Sequence, residues 1–285
     1  MTADEKPPVT PIEDLIRADL PHSARIYDYW LGGKDHFEID RAVGESIVRA
    51  EPEMVRMMRA NRAFLARAVE HLVTACGVRQ FLDIGSGLPT ADNTHEVAQR
   101  AAPECRVVYV DNDPMVFAHA RALLTRTPEG RTDYLDADLR EPRKLLHAAA
   151  ETLDFGEPVG VLMLGVLNHF AEDGDARAVI EAIMDRTCPG SHLAISVSTN
   201  VVKPAAMDRA AASYNEAFGR PPIYLYTPER LAAQFAGLEL AEPGVVSVDR
   251  WKPERAESGS GSEPESAAAG EPPEMDAFVG VARKP

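Results

Sequence analysis

The chain has 285 residues, 45% hydrophobic and 26% charged, enough to bury a sizeable core in one large domain or a domain plus an accessory segment. Its formal net charge is −15 and it carries no basic block, which argues against DNA or RNA, whose phosphates are gripped by clustered Lys and Arg. Three scattered cysteines (Cys76, Cys105, Cys188) suggest neither a disulfide framework nor a zinc site. The polar, proline-rich N-terminus is no secretory signal and no apolar run nears the ~18 residues of a membrane helix, so a cytoplasmic location is expected.

In chain order, residues 1–11 read as a disordered lead. From there to about Val73 the pattern is helical and arginine-rich, and 12–75 are expected to form a helical lid or cap segment. An aromatic-dense stretch, Ile26 to Phe37, surrounds the flexible pair Gly32-Gly33. Tyr27, Tyr29, Trp30, His36 and Phe37 there either cover a ligand and exclude water or belong to an aromatic helix packed on the core. Met54 to Val73 carries apolar residues at helical spacing.

From Val78 onward, β-rich runs alternate with amphipathic helices. Strands are expected at Gln80–Ile84, Arg106–Asp111, Thr132–Ala137, Val159–Gly165 and His192–Thr199. Helices follow them near 94–101, 115–125, 142–153 and 173–187. This alternation implies right-handed βαβ crossovers and a parallel sheet. A helix near 205–218 comes next, and Thr227-Pro228-Glu229 signals the start of another. The closing runs, Leu238 to Trp251 and Ala277 to Ala282, have no helix pattern between them and are more easily paired antiparallel. The intervening 252–275 are rich in Ser, Gly, Pro, Ala and Glu and read as a disordered acidic loop.

The loop after the first strand carries the strongest local signal, Phe81-Leu-Asp-Ile-Gly-Ser-Gly-Leu-Pro-Thr90. Gly85 and Gly87 flank Ser86 where a strand turns toward a helix, the place where doubly wound sheets bind ligands. Pro89-Thr90 replaces the Gly-x-x-Gly ending that seats a pyrophosphate. Asp83 would repel a pyrophosphate but suits a ligand bearing an ammonium and a sulfonium. Asp111, closing the second strand next to Asn112, can accept both hydroxyls of a ribose. Asp113 reads as a helix cap. Asp138, in Asp136-Ala-Asp-Leu139, can accept an adenine amino hydrogen; Asp136 or a simple cap is the competing reading.

Asp83-x-Gly85-x-Gly87, Asp111, Ala137-Asp138, Leu167-Asn-His169 and Cys188-Pro-Gly190 together resemble the class I S-adenosylmethionine-dependent methyltransferases. More narrowly, Ser23 to Lys34, Asn61-Arg-Ala-Phe64, Gln80 to Thr90, Asn93-Thr-His-Glu96 and Val107 to Pro114 resemble an actinobacterial group of S-adenosyl methyltransferases of undefined substrate. The resemblance covers nearly the whole chain except 1–11 and 252–275. It implies a Rossmann-like α/β core over 76–285, with a seven-stranded, mostly parallel sheet in the order 3-2-1-4-5-7-6, strand 7 antiparallel. It also implies S-adenosyl-L-methionine as cofactor. Asp83, Gly85, Ser86 and Gly87 would hold the methionine end, Asp111 and Asn112 the ribose, and Asp138 and Leu139 the adenine.

Residues after strand four face the transferred methyl group in that fold, which makes Asn168 and His169 the candidate catalytic residues. His169 is either a general base for an acceptor hydroxyl or a hydrogen-bonded structural histidine. Arg62 is the candidate for the cofactor's carboxylate. The remaining histidines lack metal-ligand spacing, and no metal is predicted. The expected activity is O- or N-methylation of a small molecule, with no nucleic-acid or membrane partner. The alternatives are a non-catalytic S-adenosylmethionine-binding regulatory module and an NAD(P)-dependent oxidoreductase. Neither the acceptor nor the oligomeric state can be read from the sequence.

Overall fold

Strand β1 (Gln80–Ile84) is buried at all five positions, the pattern of a central parallel strand covered on both faces. It belongs to a computed structural model that describes residues 17–89, 92–113, 116, 129–218, 222–252 and 273–285. The lead at 1–11, the helix expected over 115–125 (Val116 apart) and 253–272 of the acidic stretch lie outside the described residues.

β1 lies between β2 (Arg106–Asp111) and β4 (Val159–Leu164), parallel to both. β3 (Arg131–Asp136) extends the sheet beyond β2, and β5 (His192–Ser198) beyond β4, again in parallel. The last long strand, β8 (Ala277–Arg283), runs antiparallel to β5. The expected order with an antiparallel closing strand is therefore present.

One detail differs from the sequence reading. The run from Leu238 to Trp251 is not one strand but two short pieces, β6 (Glu239–Leu240) and β7 (Val246–Ser247), both antiparallel to β8. From Leu240 to Val246 this edge advances six residues while β8 advances three, Ala282 to Val279. The excess residues form a turn at Pro243-Gly244, where Gly244 has φ +86° and its amide donates to the Ala241 carbonyl at 2.8 Å. Proline cannot donate to the ladder, and an edge strand accommodates such an excursion.

Helices cover both faces. On one lie α1 (Ser23–Leu31), α2 (Glu38–Ala50), α3 (Met54–Thr74) and α4 (Thr94–Ala101). Helix α3 buries Phe64, Leu65, Ala68, Val69 and Leu72 as one stripe; truncating a core phenylalanine such as Phe64 to Ala costs about 3–5 kcal/mol. Asn93 and Glu96 cap the start of α4 reciprocally, Glu96 accepting the Asn93 amide at 2.8 Å. On the other face lie α5 (Pro142–Ala149), α6 (Asp173–Arg186) and α8 (Pro228–Ala233). Proline opens α5 and α8 at the position where a missing amide costs nothing, and Thr227 caps α8 by accepting the Arg230 amide. Helix α7 (Pro204–Phe218) follows β5 and packs on α2, which brings two distant segments together above the sheet's C-terminal edge.

The turn after α1 is organised by Asp28, 3% exposed, which accepts the Asp35 amide at 2.9 Å and lies 3.3 Å from His36 Nδ1. Gly32 has φ +85°, and a Cβ on Gly33 would lie 1.9 Å from the Asp28 carboxylate. The pair expected to be flexible is therefore a fixed turn, demanded by close approach to a buried carboxylate.

Candidate cofactor and acceptor site

The parallel strands end at one edge, and their loops form the floor of a cavity of about 630 Å³. Gly85 leaves β1 with φ +73°, and its amide donates to the Val110 carbonyl at 2.7 Å. A Cβ there would lie 1.9 Å from Val166 Cγ1, so only glycine lets the β1 and β4 loops pass. Gly87 also has positive φ (+64°), and nothing stands within 4 Å of where its Cβ would be. Ser86 Oγ is buried without a hydrogen-bond partner, a polar group whose desolvation a ligand would offset.

The carboxylates of the cavity wall are held by backbone and hydroxyl groups. Asp83, 5% exposed, accepts the Thr94 hydroxyl at 2.6 Å. Burial pushes its pKa up to about 6, with a smaller upward push from Asp111; the Thr94 hydrogen bond and the Arg62 guanidinium oppose the shift. Asp111 accepts the Gly87 amide at 2.9 Å and the Asp113 amide at 3.0 Å, and burial raises its pKa too. Asp138 accepts the Arg140 amide at 2.8 Å while standing in the cavity wall. Asp136 is exposed and does not line the cavity, which separates the two aspartates left open by sequence.

The cavity wall thus brings together Asp83, Gly85, Ser86, Gly87, Asp111, Asn112, Asp138, Leu139, Asn168 and His169. Arg62 joins them and donates to Asn93 Oδ1 at 3.0 Å. Three carboxylates, an unused buried hydroxyl and open backbone at Gly87 suit a ligand carrying an ammonium, a ribose diol and an amino-purine. Asp113 meets His22 Nε2, tying the β2 loop to the start of α1; the helix it was expected to cap lies outside the described residues.

The two residues after β4 differ sharply. They lie in a single 3₁₀ turn, Leu167–His169. The Asn168 amide nitrogen donates to the carbonyls of Ser198 (3.1 Å) and Tyr224 (2.7 Å), and its oxygen accepts the Ser198 amide at 3.0 Å. Both amide hydrogens and one carbonyl lone pair are committed to backbone, so Asn168 ties the turn to β5 and to 222–226 and has no donor left to offer an acceptor. This corrects its reading as catalytic. His169 Nδ1 lies 3.3 Å from the Pro222 carbonyl oxygen, which places the proton on Nδ1 and leaves the Nε2 lone pair available. Burial, with the nearby Arg140, lowers its pKa and keeps the ring neutral.

Of the five aromatic residues expected in the lid, Tyr27 and Trp30 line the cavity, and the Tyr27 hydroxyl donates to the Met58 carbonyl at 3.3 Å. Tyr29 points to another face of α1 and meets His36 edge-on, with ring centroids 5.1 Å apart. His36 and Phe37 follow the Gly32-Gly33 turn, which carries them away from the cavity, and the Arg25 guanidinium lies 4.9 Å above the Phe37 ring. The reading of these three as pocket residues is therefore corrected. Arg25 itself is buried and paired with Asp40 at 2.7 Å, a structural tie.

Sequence reasoning missed the opposite wall. Met54, Met58 and Leu65 from α3 line the same cavity as Met207, Tyr214 and Phe218 from α7. Each set recurs at helical spacing, a signal visible in the chain but indistinguishable there from an ordinary core stripe. Among the described residues no cluster of His, Cys, Asp and Glu is placed to hold a metal, and no helix is long and apolar enough to cross a membrane.

A family model described as S-adenosyl methyltransferase matches residues 10–285. A DUF574 family protein from Streptomyces avermitilis has a crystal structure similar to this chain at 41% identity and a TM-score of 0.86, over 95% of this chain and 100% of that one. A Thermobifida fusca protein provisionally described as a methyltransferase is 37% identical with a TM-score of 0.81, over 94% of this chain and 97% of that one. No curated protein matches the chain. These matches set aside the nicotinamide-dependent alternative. The chain belongs to the S-adenosyl methyltransferase family, an enzyme family with a Rossmann-like fold, and S-adenosyl-L-methionine is its cofactor.

Proposed function

We propose that the enzyme methylates an oxygen or nitrogen of a small-molecule acceptor, with His169 as general base. The observation that carries this reading is one continuous cavity. Its floor is the carboxylate- and glycine-lined strand edge, its far wall is apolar, and His169 stands in the same lining.

When bound, S-adenosylmethionine supplies a methyl group on a sulfonium already activated for in-line displacement. In this reading Asp83, Gly85, Ser86 and Gly87 hold the methionine end, with Arg62 supplying the charge for its carboxylate. Asp111 and Asn112 hold the ribose, and Asp138 with the Leu139 backbone holds the adenine. The remaining contribution of the protein is to position and desolvate the acceptor, and an apolar chamber does both. Neutral His169 accepts the acceptor's proton at Nε2, worth roughly 10²–10⁴ in rate for a hydroxyl. The negative charge of the chain supports a small acceptor over a polynucleotide.

A methyl-transfer assay with labelled cofactor against small-molecule fractions of the source cell tests this directly. Label arriving in a small molecule supports the reading. Label found only in protein or nucleic acid, with the cofactor bound normally, sinks it.

A further inference from the structure

We propose that the acceptor is an uncharged aromatic molecule presenting one phenol-type hydroxyl, seated between α3 and α7. The inference rests on reading the cavity as a methyl-transfer site and names the substrate class of that site.

The walls specify this chemistry. On α3, Met54, Met58 and Leu65 line the cavity at positions i, i+4 and i+11. On α7, Met207, Tyr214 and Phe218 do so at i, i+7 and i+11, with the Tyr214 and Phe218 rings 4.4 Å apart. Thioethers are polarisable and pack favourably against aromatic rings, and aromatic walls favour ring-bearing ligands. The cavity of about 630 Å³, inside the ~300–1,000 Å³ span of ligand sites, has to hold the cofactor as well, which keeps the acceptor small.

Charge is distributed unevenly around the lining. Among the described residues, its Asp, Arg and His side chains come from the ends of the strands and the loops after them, from His22 before α1 and from Arg62 on α3. Arg62 is turned toward Asn93 and Asp83. Helices α2 and α7 contribute no charged group to the wall. A charged acceptor seated against α7 would lose its hydration and gain no counter-charge, which disfavours it strongly. Tyr214 is itself kept as a neutral phenol by burial, which raises its pKa.

The hydroxyl follows from His169, the histidine of the lining whose hydrogen-bonded tautomer leaves its Nε2 lone pair for a substrate proton. His169 is neutral, with Nδ1 directed at the Pro222 carbonyl. A neutral base assists a hydroxyl that must lose its proton, whereas a neutral amine already carries its nucleophilic lone pair.

The test uses the full chain and two matched probes, 2-naphthol and 2-naphthoate, titrated by calorimetry with and without S-adenosylhomocysteine. Naphthol is expected to bind saturably and roughly tenfold or more tighter than naphthoate, the factor a desolvated unpaired charge costs. Ala211→Glu and Met58→Lys place a charge at two half-buried cavity positions on opposite walls. Each is expected to weaken naphthol binding roughly tenfold or more while shifting S-adenosylhomocysteine affinity less than about twofold. Equal or tighter binding of naphthoate, no naphthol binding, or naphthol binding unchanged in a variant that still binds S-adenosylhomocysteine overturns the proposal. Failure of the wild type to bind S-adenosylhomocysteine sinks the methyl-transfer reading instead, and that arm is read separately.

Discussion

The Thr94 hydroxyl donates to the Asp83 carboxylate at 2.6 Å, so the first residue of α4 holds the buried acid one residue before the end of β1. This bond only partly offsets burial, which leaves the Asp83 pKa near 6. Because the folded pKa lies above the unfolded value, folding takes up a proton. Stability from this group is fully present below about pH 4 and is lost as pH rises through 6. Asp83→Asn keeps an oxygen for Thr94 and removes the charge. It should stabilise the fold above pH 6 by on the order of 1–3 kcal/mol and weaken cofactor binding. Wild-type cofactor affinity should also fall as pH drops through 6. Denaturation and calorimetry at pH 5 and 8 check both, and a variant that binds the cofactor normally at pH 8 removes Asp83 from the site.

Asp111→Ala should lower cofactor affinity roughly 10- to 100-fold, since charge-assisted hydrogen bonds are worth about 1.5–3 kcal/mol each. The same side chain accepts the Gly87 and Asp113 amides, so some loss will come from a loosened loop. Asp111→Asn retains one acceptor oxygen and should lose less. Calorimetric titration of the pair separates the two contributions.

His169→Gln should leave cofactor affinity within about twofold and lower kcat by roughly 10²–10⁴. Burial depresses the His169 pKa, so the acid limb of the wild-type kcat profile should fall below about 6.5, and the variant should lack that limb. An unchanged kcat would return His169 to a structural role.

His22 and Asp113 join the start of α1 to the β2 loop across 91 residues of sequence. Both are partly exposed, so the pair is worth about 0.2–1 kcal/mol. Asp113→Ala should speed amide exchange in α1 by roughly two- to fivefold, and exchange in α6 should not change. Hydrogen-exchange mass spectrometry reads this directly.

Gly85→Ala should destabilise the fold by about 1–3 kcal/mol, because its Cβ meets Val166 at a positive φ. Adding Val166→Ala should recover the steric part and leave the backbone part. Thermal melts of the three variants test this partition.

Much of the cavity's strand edge was legible in the chain. Asp83, Gly85 and Gly87 stand out because a sharp strand-to-helix turn and a close backbone approach restrict residue type locally. Asp111 and Asp138 follow because strand ends share one edge in a parallel sheet. The lid was misread at Tyr29, His36 and Phe37, since aromatic density does not say which face of α1 looks inward or where a turn sends the chain. Asn168 was misread because its partners, Ser198 and Tyr224, lie 30 and 56 residues away.

The alternation of strands and helices, the glycine turn and the acids at or near the ends of β1, β2 and β3 were determined by the sequence alone, because each depends on neighbours within a few residues. Tertiary structure alone decided that α3 and α7 line the same cavity. Only there did two apolar stripes become walls of one chamber, because a stripe's periodicity says that a face is buried but not what it is buried against. It also decided the splitting of the sixth strand, which depends on pairing with β8, and the state of Asp83, which depends on the water excluded around it.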